Sequence, residues 1–477
     1  MYGPTVERYR GWAMPTERFT ALDASFLYLE RPAMHMHVAG VSVLDPSTRQ
    51  DGRLRFEDVA NVFASRLHLA PRLRQKMKAV PFGMGLPVWV DDAAFDLDFH
   101  MRRAALPAPG GRRELCEQVQ RVLSRPLDRS KPLWELYVIE GLEGGHVATL
   151  MKAHHAMIDG LSGMHLTAAL FDLSPEPREE PPPPAWEPEP EPSSQELLRE
   201  ASETLVSHPA QALAQAIDAV RRTPALAALG LGSVLSGFRS ILDMGARPTS
   251  PLDVRIGPNR RFAMAEAPLQ RFKDIKDVLG GTVNDVVLAV VGGALHRLLK
   301  ERKEPTKGRT LRVMVPVSVR SGGDGQLGNR VAPAFIDVPV GPLGPKRRLA
   351  LVRAGTRHLK ESMMAMSADT IIGLGAYAPG GLLAAAARLA SRGPWFNLTV
   401  SNVPGPPQPL YLAGAKLVAQ YPAIPLGENS ALSIACTSLG GTMAFGLTGD
   451  WDGIPDLERL AIALEESLAE ISKAAGL

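Results

Sequence analysis

Two adjacent histidines, His154 and His155, followed by Asp159 and Gly160, are the residues of this 477-residue chain best suited to chemistry. A neutral imidazole facing a substrate hydroxyl is a suitable general base, because its pKa lies near working pH. Asp159 stands four residues on, where a carboxylate can hold a turn by a hydrogen bond or ion pair. Gly160 permits close backbone approach or an unusual dihedral. A His-His pair is by itself more often structural than catalytic. A metal site of the His-His-Asp type stays open on residue type, although the spacing matches none of the common zinc motifs. No glycine-flanked serine elbow accompanies the pair, and no dinucleotide or P-loop glycine fingerprint occurs.

The surrounding elements set the geometry of the pair. Residues 132–140 are rich in aromatic and β-branched types and read as a strand, Gly144-Gly145 is a turn signal, and 146–153 read as the returning strand. The histidines then fall at the end of a hairpin, where neighbouring side chains point to opposite sides. Residues 161–171 read as a helix that Asp159 is placed to cap.

The length exceeds one ordinary core, so two or more domains are expected. A hydrophobic fraction of 45% with 22% charged residues fits a globular protein, and a net charge of +3 is too small to point to nucleic acid. Arg66, Arg72, Arg74, Lys76 and Lys78 nevertheless form one basic run, and Arg102, Arg103, Arg112 and Arg113 another. Such runs read as solvated helix faces or, more sharply, as a surface for phosphate or anionic lipid. Two distant cysteines, Cys116 and Cys436, exclude a disulfide framework. With no apolar signal segment at the N-terminus they suggest a reducing, cytoplasmic compartment. Asn397-Leu398-Thr399 matches a glycosylation acceptor by chance. Residues 370–387 are uncharged, but Pro379-Gly380-Gly381 interrupts them, so a buried or membrane-touching pair of short segments is expected.

Elsewhere a turn and short helix are expected over 19–30, a half-buried strand over 35–44, and a helix over 56–78. Strands follow over 86–90 and 95–99, then a helix over 113–127. From Pro175 to Pro192, nine of eighteen residues are proline and six glutamate, which makes an extended, semi-rigid linker. Helical material over 195–245 ends in an apolar stretch containing Leu231, Val234, Leu235 and Phe238. A helix over 282–300 opens on a capping-box-like Thr282 and Asp285. Strands are expected over 311–319, 331–338 and 397–402, helices over 345–366 and 456–474, and a hairpin over 430–449.

The segment from His154 to Gly160 matches the HHxxxDG signature of the CoA-dependent acyltransferase superfamily, which includes chloramphenicol acetyltransferases and peptide-synthetase condensation domains. More closely, the chain resembles the bacterial wax ester synthase/diacylglycerol acyltransferase family. Leu22-Asp23-Ala24-Ser25-Phe26, Pro132-Leu133-Trp134, Asn284-Asp285, Gln326-Leu327-Gly328-Asn329-Arg330 and Ser401-Asn402-Val403-Pro404-Gly405-Pro406 look like further motifs of that family, in order.

The resemblance implies an α/β fold of two chloramphenicol acetyltransferase-like domains with mixed sheets and an active-site channel at their interface. Residues 1–174 would carry the motif, 175–250 the linker and connecting helices, and 251–477 the second domain. His155 is implied as the general base that removes a proton from an acceptor hydroxyl, which attacks the thioester of acyl-CoA. His154 supports it. Asp159 holds the loop through an arginine such as Arg320. Asn284, at a helix N-terminus, and Gly160 are substrate or oxyanion groups, unless Asn284-Asp285 only caps its helix. Pro132, Trp134 and Asp285 are structural neighbours, and Lys346-Arg347-Arg348 or Arg320 supply cations for CoA phosphates. No metal and no cofactor are needed, acyl-CoA being a substrate. The partners are acyl-CoA and diacylglycerol or a long-chain alcohol, with a membrane or lipid-droplet surface as a peripheral docking place. Two other readings keep the fold: a polyketide, sugar or amine acceptor, and a non-catalytic acyl-CoA- or lipid-binding protein.

Overall fold

The computed structural model describes residues 17–158, 166–178, 180, 185–207, 247–318, 331–364 and 395–477. Fourteen strands are among them: β1 (His37–Asp45), β2 (Gln75–Lys78), β3 (Val88–Asp91), β4 (Met101–Ala105), β5 (Trp134–Glu140), β6 (Val147–His154), β7 (Arg260–Pro268), β8 (Thr310–Ser318), β9 (Val331–Pro339), β10 (Leu398–Val403), β11 (Tyr411–Leu412), β12 (Ala415–Ala423), β13 (Leu432–Leu439) and β14 (Thr442–Asp450). They make two six-stranded mixed sheets, ordered β11-β12-β1-β6-β5-β4 and β7-β14-β13-β10-β8-β9, and a β2-β3 ribbon. The helices are α1 (Ala21–Leu29), α2 (Phe56–Arg66), α3 (Arg112–Leu123), α4 (Ser194–Ser207), α5 (Leu269–Leu279), α6 (Val283–Glu301), α7 (Pro345–Met364) and α8 (Leu457–Ala475).

The first sheet is not drawn from one stretch of chain. β12 pairs antiparallel with β1, from Ala39 opposite Ala423 to Asp45 opposite Lys416, so the second half of the chain supplies two strands to the sheet that carries the histidines. The two sheets then pack closely. A Cβ on Gly446 of β14 would stand 1.8 Å from the Pro422 carbonyl oxygen of β12, a contact that only glycine permits. Phe262, Met264 and Ala444 of the second sheet share a core with Val41, Tyr137 and Leu150 of the first.

α6 is apolar nearly all round, with thirteen of its nineteen residues buried, so it forms the centre of the second core with α8 and α7 packed against it. The helix expected over 56–78 stops at Arg66, because Pro71 breaks it into short 3-10 turns before β2. Residues 95–99 are not a strand. The Asp96 carboxylate accepts from Asp98 N–H at 3.0 Å and starts a helical turn, Leu97–His100, which leads into β4.

The first basic run is largely an internal fastening. Arg66 is buried and paired with Asp172 at 2.9 Å, and the Arg74 guanidinium lies over the Trp186 ring at 4.5 Å. Lys78 meets Glu191 at 2.8 Å and donates to Pro192 O at 2.6 Å, so the described part of the proline-rich segment is strapped along β2. Both cysteines are buried and free, and Asn397 is wholly buried, bonded through its side chain to Arg312 N–H, Pro248 O and Asp253.

Candidate active site

The site is built where β6 ends. β6 is hydrogen-bonded on both sides, to β5 and to β1, and its last residue, His154, lies opposite His37. The chain then turns, Met157 N–H donating to His154 O at 2.9 Å and Ala156 N–H to His154 Nδ1 at 3.1 Å. A backbone N–H only donates, so Nδ1 is the acceptor and the proton of neutral His154 sits on Nε2.

Pro132, Leu133 and Trp134 back this strand end. Leu133 O accepts from His154 N–H at 2.9 Å, and all three residues are buried. The Trp134 indole donates to Leu73 O at 2.8 Å and stacks on His100 with ring centroids 4.6 Å apart.

His155 is the first residue of the turn, so strand alternation does not carry over to it. Both histidines meet α1, rather than facing opposite sides. His155 is half-buried, its N–H donates to Met36 O at 2.7 Å, and its ring stacks on Phe26 at 3.9 Å between centroids. One helical turn further along, the Glu30 carboxylate lies 3.5 Å from His154 Nε2, 3.4 Å from His37 Nε2 and 3.4 Å from Arg129 Nε. Burial alone would raise the Glu30 carboxyl, but hydrogen bonds and charge from His154 and His37 outweigh it and hold it well below the usual carboxylate range. Burial pulls His37 down to about 4, so it is neutral near pH 7.

Among the described residues, Glu30, His35 and His37 place one ligand atom each within 4.8 Å of the others, a donor set suited to a divalent cation. The carboxylate there is already engaged by two imidazoles and a guanidinium. A cavity of about 560 Å³ opens beside Glu30, lined also by Leu27, Tyr28, Arg31, Met77 and Arg129. The loop between α1 and β1 docks on the second half of the chain: Arg31 meets Glu428 at 3.5 Å, and Met34 and Met36 pack with Ile256 and Leu426. The histidines are therefore braced from both halves.

Residues 19–287 match the wax ester synthase/diacylglycerol acyltransferase catalytic domain, and 327–472 match the C-terminal domain of the same family. The chain belongs to this family. A Mycobacterium tuberculosis protein named as a diacylglycerol O-acyltransferase is 34% identical over 97% of this chain and 91% of its own length. Another from that species, also named as a diacylglycerol O-acyltransferase, is 33% identical over 95% of this chain and 98% of its own. The wax ester synthase/diacylglycerol acyltransferase of Marinobacter aquaeolei has the same fold, with a TM-score of 0.69, 29% identity and coverage of 97% and 100%. A condensation domain of the calcium-dependent antibiotic synthetase shares the fold alone, at a TM-score of 0.55 and 13% identity over 98% of each chain.

For this acyltransferase chain, Asp159, Gly160 and Arg320 lie outside the described residues, as do Gln326–Arg330 and the apolar stretches at 231–238 and 370–387. Asn284 is half-buried in the first turn of α6, and no contact among the described ones joins it to the histidines. Its neighbour Asp285 is a helix cap. Its carboxylate accepts from Thr282 N–H at 2.8 Å and from Thr356 Oγ1 at 2.7 Å, while Asp285 N–H donates to Thr282 Oγ1. Arg348 is buried and donates to Leu343 O at 3.0 Å, which removes it as a phosphate cation; Lys346 and Arg347 are exposed.

Sequence reading passed over Glu30, His37 and Lys152. Lys152 is fully buried, 3.1 Å from Glu135, and donates to Val122 O in the last turn of α3 and to Arg125 O just past it. The signal for Glu30 was available: it follows Phe26 by one helical turn.

Proposed function

We propose that this chain transfers a long-chain acyl group from acyl-CoA to the hydroxyl of diacylglycerol or of a fatty alcohol, with His155 as the general base. The observation that carries the reading is the setting of His155 in its family motif: main chain tied to Met36, ring held flat on Phe26, half-buried at the junction of the two halves. A ring nitrogen of His155 takes the hydroxyl proton as the oxygen attacks the thioester carbon. The tetrahedral intermediate collapses to ester and CoA thiolate, and the imidazolium returns its proton to sulfur. The thioester is already activated, so the steps need no metal, oxidant or organic cofactor.

The acceptors are water-insoluble, and we place the enzyme at the cytoplasmic face of a membrane or droplet, touching it peripherally. Phe82, 89% exposed in the turn between β2 and β3, supports such contact. Among the described residues no single helix is long and apolar enough to cross a membrane; the bent α5–α6 pair passes on composition, but α6 is core.

Radiolabelled palmitoyl-CoA offered with diacylglycerol, hexadecanol or a long-chain amine tests the proposal. Labelled triacylglycerol or wax ester is expected. Absence of any neutral ester, or label only in the amide, overturns it.

A further inference from the structure

We infer that Glu30 is a positioning residue for the acyl-transfer step, acting on His155 through the tautomer of His154; this rests on the acyltransferase reading above. Glu30 caps the C-terminus of α1, and its side chain is 11% exposed. Its two carboxylate oxygens face Nε2 of two histidines that are cross-strand partners, His37 on β1 and His154 on β6. Arg129, itself partly exposed, lies 3.4 Å from the Glu30 carboxylate, and the charge of buried Lys152 also acts on His37.

A carboxylate 3.5 Å from Nε2 of His154 attracts the proton to that nitrogen through its charge. Nδ1 is then left as a lone pair, and it takes Ala156 N–H at 3.1 Å. That bond closes the turn whose first residue is His155. With the proton on Nδ1 instead, two N–H groups would oppose each other, the turn would open, and the His155 ring would leave its place on Phe26. Glu30 thus fixes a proton two bonds of contact away from the reacting base, without touching substrate. The same helix supplies both supports, Phe26 to His155 and Glu30 to His154, at i and i+4.

The test combines one spectrum with one double-mutant cycle. In ¹⁵N-histidine-labelled wild type, His154 should show the Nε2–H pattern, and the Nδ1–H pattern overturns the inference whatever the activity. Glu30→Gln keeps length but can accept from only one imidazole; kcat is expected to fall about tenfold, with KM for palmitoyl-CoA within about twofold. His154→Asn places a carbonyl oxygen where Nδ1 stood and needs no tautomer, and its own kcat is the reference for the second arm of the cycle. In that background Glu30→Gln should then cost nothing further. A tenfold loss that persists on top of His154→Asn, or stoichiometric divalent metal lost with Glu30→Gln, contradicts the inference. A wild type inactive on palmitoyl-CoA would instead contradict the acyltransferase reading and leave the spectrum to decide this one.

Discussion

The Phe26 ring lies flat against the His155 imidazole, with centroids 3.9 Å apart and planes inclined by 22°. Stacking of this kind contributes about 1 kcal/mol and restricts rotation of the imidazole. Phe26→Ala is expected to lower kcat about five- to tenfold. KM for acyl-CoA should stay near the wild-type value, and Phe26→Tyr should keep most activity. Steady-state kinetics check this, and an alanine variant with the wild-type kcat would remove Phe26 from the account.

Burial lowers His37 from 6.5 to about 4, against the opposing pull of Glu30. The unfolded chain takes up a proton near pH 6.5 that the folded chain refuses until about pH 4. Stability is therefore lost as pH falls through that window, by roughly 3 kcal/mol at its lower end. His35 and His100, also lowered by burial, act in the same direction. Urea midpoints at pH 7 and 4.5 should show a smaller acid loss for His37→Gln than for wild type. Equal losses would count against the buried neutral state.

Lys152 and Glu135 form a buried pair at 3.1 Å. Lys152→Met leaves the Glu135 carboxylate with Arg102 at 3.3 Å and Tyr137 Oη at 3.1 Å but removes its third partner and the donor to Val122 O and Arg125 O, and should cost about 2–3 kcal/mol of stability. Lys152→Met with Glu135→Leu should recover most of it in the same denaturation assay. A double variant as unstable as the single one would show that the carbonyl bonds to Val122 and Arg125, rather than the charge pair, set the cost.

Gly446→Ala tests the packing of the two sheets. A methyl there would stand 1.8 Å from the Pro422 carbonyl, so β12 and β14 must separate. A destabilisation of about 3 kcal/mol or more is expected, seen as a lowered melting temperature. An unchanged melting temperature would refute the close approach.

Much of the scaffold was legible because it rests on local signals. The β5–β6 hairpin, the Thr282–Asp285 cap and the C-terminal helix follow from turn glycines, a capping box and apolar spacing, and the structure has them. β12 was not legible: apolar Val418 on its exposed face and Pro422 within the run hide the alternation that Lys416 and Gln420 keep, and its partner β1 is more than 370 residues away. The support of the histidines was half legible. The family motifs single out Phe26 and Trp134, but Glu30 and His37 gain meaning only when β1 lays His37 opposite His154. The basic run at 66–78 reads as solvated, yet tertiary ion pairs turn it inward.

The most direct test of the central claim is CoA thiol release by His155→Ala in the presence of palmitoyl-CoA and the acceptor that wild type uses. A folded variant, shown by an unchanged far-UV spectrum and melting temperature, is predicted to release CoA roughly 10²–10⁴-fold more slowly. Release within a few-fold of wild type would contradict the assignment of His155 as the base.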